Sequence, residues 1–166
     1  MRVLLTAEQL RRPVPGGIGT YVRGLVQGLD APAGVELGLW ASRESGAGPD
    51  PLTDLGPTVV TSWLPTPMLT RAWDRGLTGP PSKWGVVHAT SLATPPVGRR
   101  PMTVMVHDVA WRAFPEAYPR RGRRWHEAAL GRARERARLL LVPSQQTAND
   151  LMACGVSSSR MPFIPR

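Results

Sequence analysis

Arg2-Val3-Leu4-Leu5-Thr6, and after it Gly16-Gly17-Ile18-Gly19-Thr20-Tyr21-Val22, decide the fold of this chain. Val3-Leu4-Leu5 is an apolar run of the length of a buried strand, too short to be a core helix. Beyond the glycines, Ile18, Tyr21, Val22, Leu25, Val26 and Leu29 recur every three to four residues, with Thr20, Arg23, Gln27 and Asp30 between them. That spacing predicts one apolar face of a helix. A strand, a glycine loop and a helix in this order leave backbone N–H groups free at the helix start, where they and the helix dipole favour a phosphate or another anion. Glycine suits such a loop because it allows close approach and positive φ. The spacing is G-G-x-G, which is neither the G-x-G-x-x-G dinucleotide fingerprint nor a P-loop ending in Lys-Ser/Thr. A tight turn into a helix is therefore the plain alternative.

Working outward, the same alternation continues. Val35 to Trp40 reads as a second strand, and Ser42 to Pro57, with its glycines and prolines, as a loop. Val59 to Leu64 reads as a third strand. Leu69, Trp73 and Leu77 mark a short helix ended by Gly79-Pro80-Pro81. Val86 to Thr90 and Thr103 to Val106 are compact apolar runs, the second leading into His107-Asp108. A non-repetitive stretch from Trp111 to Tyr118 precedes a basic helix over Pro119–Arg138. Leu139 to Val142 is another strand, Ser144 stands where an N-cap belongs, Gly155 where that helix stops, and Met161 to Pro165 is a last apolar segment. Strands alternating with helices predict an α/β fold: a Rossmann-like, doubly wound, mostly parallel sheet of about seven strands with helices on both faces. Ligands bind such sheets beyond the carboxyl ends of the strands. The Gly16–Gly19 loop, Thr90-Ser91 and His107-Asp108 all fall there.

At 166 residues the chain has the size of one domain with a proper core. A hydrophobic share of 42% with 20% charged residues excludes a disordered chain. No apolar run approaches the roughly 18 residues of a membrane span, and the opening residues are too short for a secretion signal. The single cysteine, Cys154, leaves no internal disulfide and points to a reducing cytoplasm. The three histidines and one cysteine share no metal-ligand spacing, so no metal is expected. The formal charge is +9, and eleven arginines lie between Arg99 and Arg138. Such an excess serves nucleic acid, anionic lipid or a phosphorylated substrate, or is simply a solvated helix face.

The stretches MRVLLTAEQLRRPVPGGIGTYVRGLVQGL (1–29), VVHAT (86–90), VMVHDVAWRAFPEAYP (104–119) and LLLVPSQQTANDL (139–151) occur in the order found in retaining glycosyltransferases of family four, and the chain resembles their N-terminal domain. The resemblance implies half of a GT-B fold, in which two Rossmann-like domains face each other across a cleft. It further implies a hexosyltransferase-like enzyme that uses a nucleotide diphosphate sugar as substrate, with no separate cofactor. Residues 1–166 would then be the acceptor-side domain, and the C-terminal donor-binding domain would be absent. By position, Gly16, Gly17 and Gly19 would face the donor phosphates and His107 would reach the transferred sugar, with Asp108 holding or orienting it. Thr20, Tyr21, Thr90, Ser91 and Glu116 would contact a glycan, lipid or small-molecule acceptor. The family's paired glutamates of the C-terminal half are missing. Glu36/Glu44 and Glu127/Glu135 show the E-x7-E spacing only by coincidence, so the isolated chain is expected to fold but to transfer no sugar.

Other residues have plainer readings. His88, inside a strand, is expected to be structural, His126 to be exposed on the basic helix, Ser144 to be an N-cap and Cys154 to be packing. The helix carrying Arg120 to Arg138 has a thin apolar side of Trp125, Ala128, Ala129, Ala133 and Ala137, which would let it rest on the anionic inner face of a membrane. The rival function is a non-enzymatic, basic Rossmann-like module that binds nucleic acid. No helix-turn-helix, RNA-binding or zinc pattern supports it. A third reading is a small nucleotide-binding domain of some other α/β enzyme.

Overall fold

The computed structural model describes residues 1–29, 34–43 and 48–162. Six parallel strands form one sheet: β1 (Arg2–Thr6), β2 (Glu36–Arg43), β3 (Thr58–Pro65), β4 (Val86–Ala89), β5 (Met102–Met105) and β6 (Leu139–Leu141). Their spatial order is β3-β2-β1-β4-β5-β6, so the chain starts in the middle, winds outward to β3, then crosses back to β4. The helices are α1 (Gly16–Leu29), α2 (Thr66–Asp74), α3 (Ala110–Ala113), α4 (Arg120–Arg136) and α5 (Gln145–Ala153). Glu8–Arg11 forms a 3₁₀ turn between β1 and α1.

Successive strand residues point to opposite faces, and Leu4 and Leu5 show where each helix goes. Leu5 packs with Leu39, Val22 and Val26 under α1. Leu4 packs with Trp40, Leu69 and Trp73 under α2. The register pairs Leu4 with Val87, Val87 with Met102, and Val104 with Leu140. These residues share the Leu4 face, and α4 covers them through Ala129, Leu130 and Ala133. The sheet is therefore doubly wound, as the apolar runs predict. β2 is buried along all but its two ends, as a strand covered on both sides must be. Its Gly38 lies directly beneath Trp84: a Cβ there would come within 2.2 Å of that ring.

Several sequence expectations are corrected. Six strands form among the described residues, not seven: Met161 and Pro162 take no strand conformation, and residues 163–166 lie outside the described part. Asp30 and Glu44 also lie outside it. The helix expected to run through Leu77 ends at Asp74, because Gly76 turns the chain at φ +73° and leaves Leu77 exposed. Gly16, Gly17 and Gly19 are not a loop but the first turn of α1. Gly16 enters at φ +60°, and Gly19 is pressed against Pro15 and Leu10. The stretch from Trp111 to Tyr118 is partly ordered as α3 and a 3₁₀ turn at Pro115–Ala117. Ser144 does cap α5, its Oγ accepting the Thr147 N–H at 3.1 Å, and Gly155 follows at φ +77°.

Candidate functional site

The reversal of winding between β1 and β4 opens a crevice at the carboxyl ends of the strands. Its floor is stitched by threonines. The Thr90 backbone N–H donates to Thr6 Oγ1 at 3.0 Å, and the Thr90 hydroxyl donates to the Thr6 carbonyl at 2.6 Å. These bonds continue the β1–β4 pairing past the last ladder residues and satisfy buried backbone groups that would otherwise be costly. The Thr90 carbonyl accepts a 2.9 Å bond from His107 Nε2, so the proton of a neutral ring sits on Nε2. Nδ1 then has no protein partner among the described residues and is free to accept from a ligand hydroxyl.

Two further contacts hold His107. The ring of Tyr21 on α1 meets the imidazole edge-on, with centroids 5.3 Å apart and planes at 83°. The Thr147 hydroxyl of α5 donates to the His107 carbonyl at 3.3 Å. The Tyr21 hydroxyl in turn bonds His88 Nε2 at 2.9 Å, while His88 Nδ1 bonds Thr103 Oγ1 at 2.7 Å. Burial pushes the His88 pKa down to about 4, with the neighbouring His107 adding to the effect, and pushes the Tyr21 pKa up to about 12. Both groups stay neutral near pH 7, so His88 acts as a buttress behind Tyr21, the structural role the sequence suggests.

Asp108 does not hold His107. Its Oδ1 accepts the Ala110 N–H at 2.9 Å and caps the start of α3, leaving the exposed carboxylate beside the imidazole. Asp108 was expected to hold or orient the imidazole, but among the described residues the contacts that orient the ring come from Thr90 and Tyr21. This partner depends on strand pairing across the sheet, which adjacency in the chain cannot reveal.

His107 and Asp108 open onto a pocket of about 240 Å³. Ser91 lines it, as does Ile18 from the first turn of α1, so the helix start and the imidazole share one rim. Of the other expected site residues, Thr90 and Tyr21 act behind His107. Thr20 and Glu116 are exposed and line no part of this pocket. Gly16, Gly17 and Gly19 do not line it either and stand just behind Ile18. Gly19 N–H is already bonded to the Pro15 carbonyl at 3.2 Å, so only the N–H groups before it remain for an anion.

The aromatic part of the lining has no counterpart among the expected site residues. Trp111, Trp125 and His126 line the pocket together with Gln9 and Arg12. His126, expected to be merely exposed, is half-buried and stacks on Trp111, with centroids 4.8 Å apart and planes at 24°. It also meets Trp125 edge-on at 4.9 Å and donates from Nδ1 to the Gly122 carbonyl at 2.8 Å. Trp125 is fixed by a 2.8 Å bond from Nε1 to Asp74 Oδ2, and Trp111 by one of 2.7 Å to Glu127 Oε1. The single signal in the sequence was a pair of tryptophans fourteen residues apart, and only the packing of α3 on α4 brings them together. Glu127 of the second E-x7-E pair is spent on Trp111 and Arg112. The first pair cannot be placed, since Glu44 is outside the described residues. No group of three or more His, Cys, Asp or Glu that could hold a metal occurs among the described residues. No described helix is long and apolar enough to cross a membrane.

A pocket rimmed by a helix start, an imidazole and an aromatic wall, at the switch point of a parallel sheet, defines the class: a Rossmann-like α/β domain, one half of a GT-B architecture. Residues 15–166 match the model of Glycosyltransferase Family 4, and the chain belongs to that family. No curated protein sequence matches it. Among solved structures it is similar to Anabaena Alr3699/HepE in complex with UDP, with 16% identity and a TM-score of 0.59 over 99% of this chain and 44% of that one. The complexes of the same protein with UDP and glucose (16%, TM-score 0.59, 100% and 44%) and with UDP-glucose (17%, TM-score 0.58, 99% and 43%) are similar to the same degree. At such identity the likeness is one of fold, and this chain spans less than half the length of those structures.

Proposed function

We propose that this chain is the acceptor-side, N-terminal domain of a retaining glycosyltransferase that moves a sugar from a nucleotide diphosphate sugar to an acceptor. The supporting observation is the shared rim: His107 and the start of α1 border one pocket in a chain of this family. The solved neighbours are more than twice as long as this chain and hold UDP and UDP-glucose, which favours a second, donor-binding domain as the other wall of the cleft.

The chemistry assigns each element a task. Breaking the sugar–phosphate bond leaves positive charge on the sugar and negative charge on the departing diphosphate. The unpaired N–H groups at the start of α1 and its dipole offset the latter. His107 Nδ1 would hold a hydroxyl of the transferred sugar in line. Trp111 and Trp125 would offer apolar faces to the acceptor ring, as the walls of small-ligand sites do.

The test compares this chain with a protein that carries both domains. The two-domain protein is expected to transfer glucose from UDP-glucose to an acceptor, and His107→Ala to lower its turnover by a hundredfold or more. The 166-residue chain alone is expected to fold and transfer nothing. Turnover by the isolated chain would overturn the division of labour. Unchanged turnover in His107→Ala would overturn the role of the imidazole.

A further inference from the structure

The excess charge is not spread evenly. A second groove of about 690 Å³ lies between α2 and α4, and Arg12, Arg71, Arg75 and Arg121 all line it. The one acid there, Asp74, is already committed: Oδ2 accepts from Trp125, and Oδ1 pairs with Arg132. None of the four guanidiniums pairs with a carboxylate among the described residues. Arg71 in the last turn of α2 and Arg75 at its C-cap stand four residues apart, a spacing at which like charges repel. A solvated surface has no need of such crowding, whereas a polyanionic ligand does.

The groove is not separate from the pocket at His107. Arg12 and Trp125 line both, so the groove continues the acceptor wall outward. A sugar seated against Trp125 would turn its next substituent toward the arginines. One carboxylate occupies one guanidinium fork, but a phosphate carries more charge and three acceptor oxygens, which suits several forks at once.

We propose that the acceptor carries a phosphate, and that Arg12, Arg71, Arg75 and Arg121 form its subsite beside the sugar position. This rests on the glycosyltransferase reading for the word acceptor, though the anion site itself does not. The phosphate belongs either to a soluble sugar phosphate or to a lipid-linked one, and the experiment separates the two.

Glucose 6-phosphate and glucose are titrated into this chain, following the indole N–H resonance of Trp125. In parallel, sedimentation is measured with phosphatidylglycerol and with phosphatidylcholine vesicles. Glucose 6-phosphate is expected to bind at least tenfold more tightly than glucose. That preference should shrink with added salt and fall tenfold or more in Arg12→Gln/Arg121→Gln and in Arg71→Gln/Arg75→Gln. Arg23→Gln, on the exposed side of α1, should keep it, and melting temperatures should show all variants folded. Retention on phosphatidylglycerol alone, lost in the same double variants, would place the phosphate on a lipid and equally support the subsite. Equal affinity for glucose and its phosphate with no vesicle preference, or equal losses in Arg23→Gln, would overturn it. A two-domain protein that binds no UDP-glucose while the phosphate preference persists would remove the enzymatic reading and leave the anion site standing.

Discussion

Replacing each glycine at the start of α1 with alanine should separate three roles that the sequence presents as one motif. Gly19 is packed: a Cβ would sit 2.4 Å from Pro15 Cβ and 3.3 Å from Leu10 Cδ2. A 2.4 Å approach is far inside van der Waals contact and neither the proline ring nor the buried leucine can yield freely, so overpacking should cost about 2–3 kcal/mol, the upper part of the usual range. Helix propensity returns about 1 kcal/mol of that, leaving Gly19→Ala less stable by about 1–2 kcal/mol. Gly16 has open space around it but stands at φ +60°, where an L-residue costs roughly 1–2 kcal/mol. Gly17 has neither constraint, so Gly17→Ala should be neutral or stabilising by up to about 1 kcal/mol. For a chain of this size each kcal/mol moves the melting temperature by about 2–4 °C. Calorimetry should therefore find Gly16→Ala and Gly19→Ala melting several degrees below wild type and Gly17→Ala at or above it. Equal losses at Gly17 and Gly19, or a wild-type melting temperature for Gly19→Ala, would refute the reasoning. If the start of α1 meets the donor diphosphate as proposed, Gly17→Ala in the two-domain protein should still weaken UDP binding, because its methyl group would stand among the free N–H groups.

Two further measurements follow from the buried charges. His88 has its pKa held near 4 in the fold against 6.5 when free, so the unfolded chain binds the extra proton between those values. Its contribution is present above pH 6.5 and is lost as the pH falls toward 4, by about 3 kcal/mol in all. Urea melts of His88→Gln should show a flatter stability profile across that window, and an unchanged slope would count against the buried neutral imidazole. The Arg11–Asp50 ion pair is almost shielded from solvent, with side chains 6% and 11% exposed. The Arg11 hydrogen bond holds the Asp50 carboxyl below its usual pKa, so this contribution persists until the pH drops below the ordinary carboxylate range. Asp50→Ala strands the guanidinium and should cost about 3 kcal/mol. A loss under about 1 kcal/mol in chemical denaturation would show the pair to be surface-like.

The architecture was legible in the chain because burial on both faces demands continuous apolar runs, and Val86–Ala89, Met102–Met105 and Leu139–Leu141 supply them. The cap at Ser144 and the stop at Gly155 are equally local. Of the run expected as a seventh strand only Met161 and Pro162 are described, and neither takes strand conformation, because an apolar segment becomes a strand only where a neighbour offers a ladder. The helix expected through Leu77 stops at Asp74 because the turn at Gly76 overrides an apolar periodicity that continues past it.

The site divides along the same line. Sequence alone determined that the glycines lead from the first strand to the first helix, that His107 ends a central strand, and that the two belong to the carboxyl end of one sheet. These follow from periodicity and chain order, which act over a few residues. Only the tertiary structure decided that Thr90, not Asp108, orients the imidazole, that Tyr21 and His88 stand behind it, and that Trp111, Trp125 and His126 line the same pocket. It alone decided that four scattered arginines meet in one groove. Such contacts join residues tens of positions apart, and their geometry is set by strand register and helix packing, which no local spacing encodes.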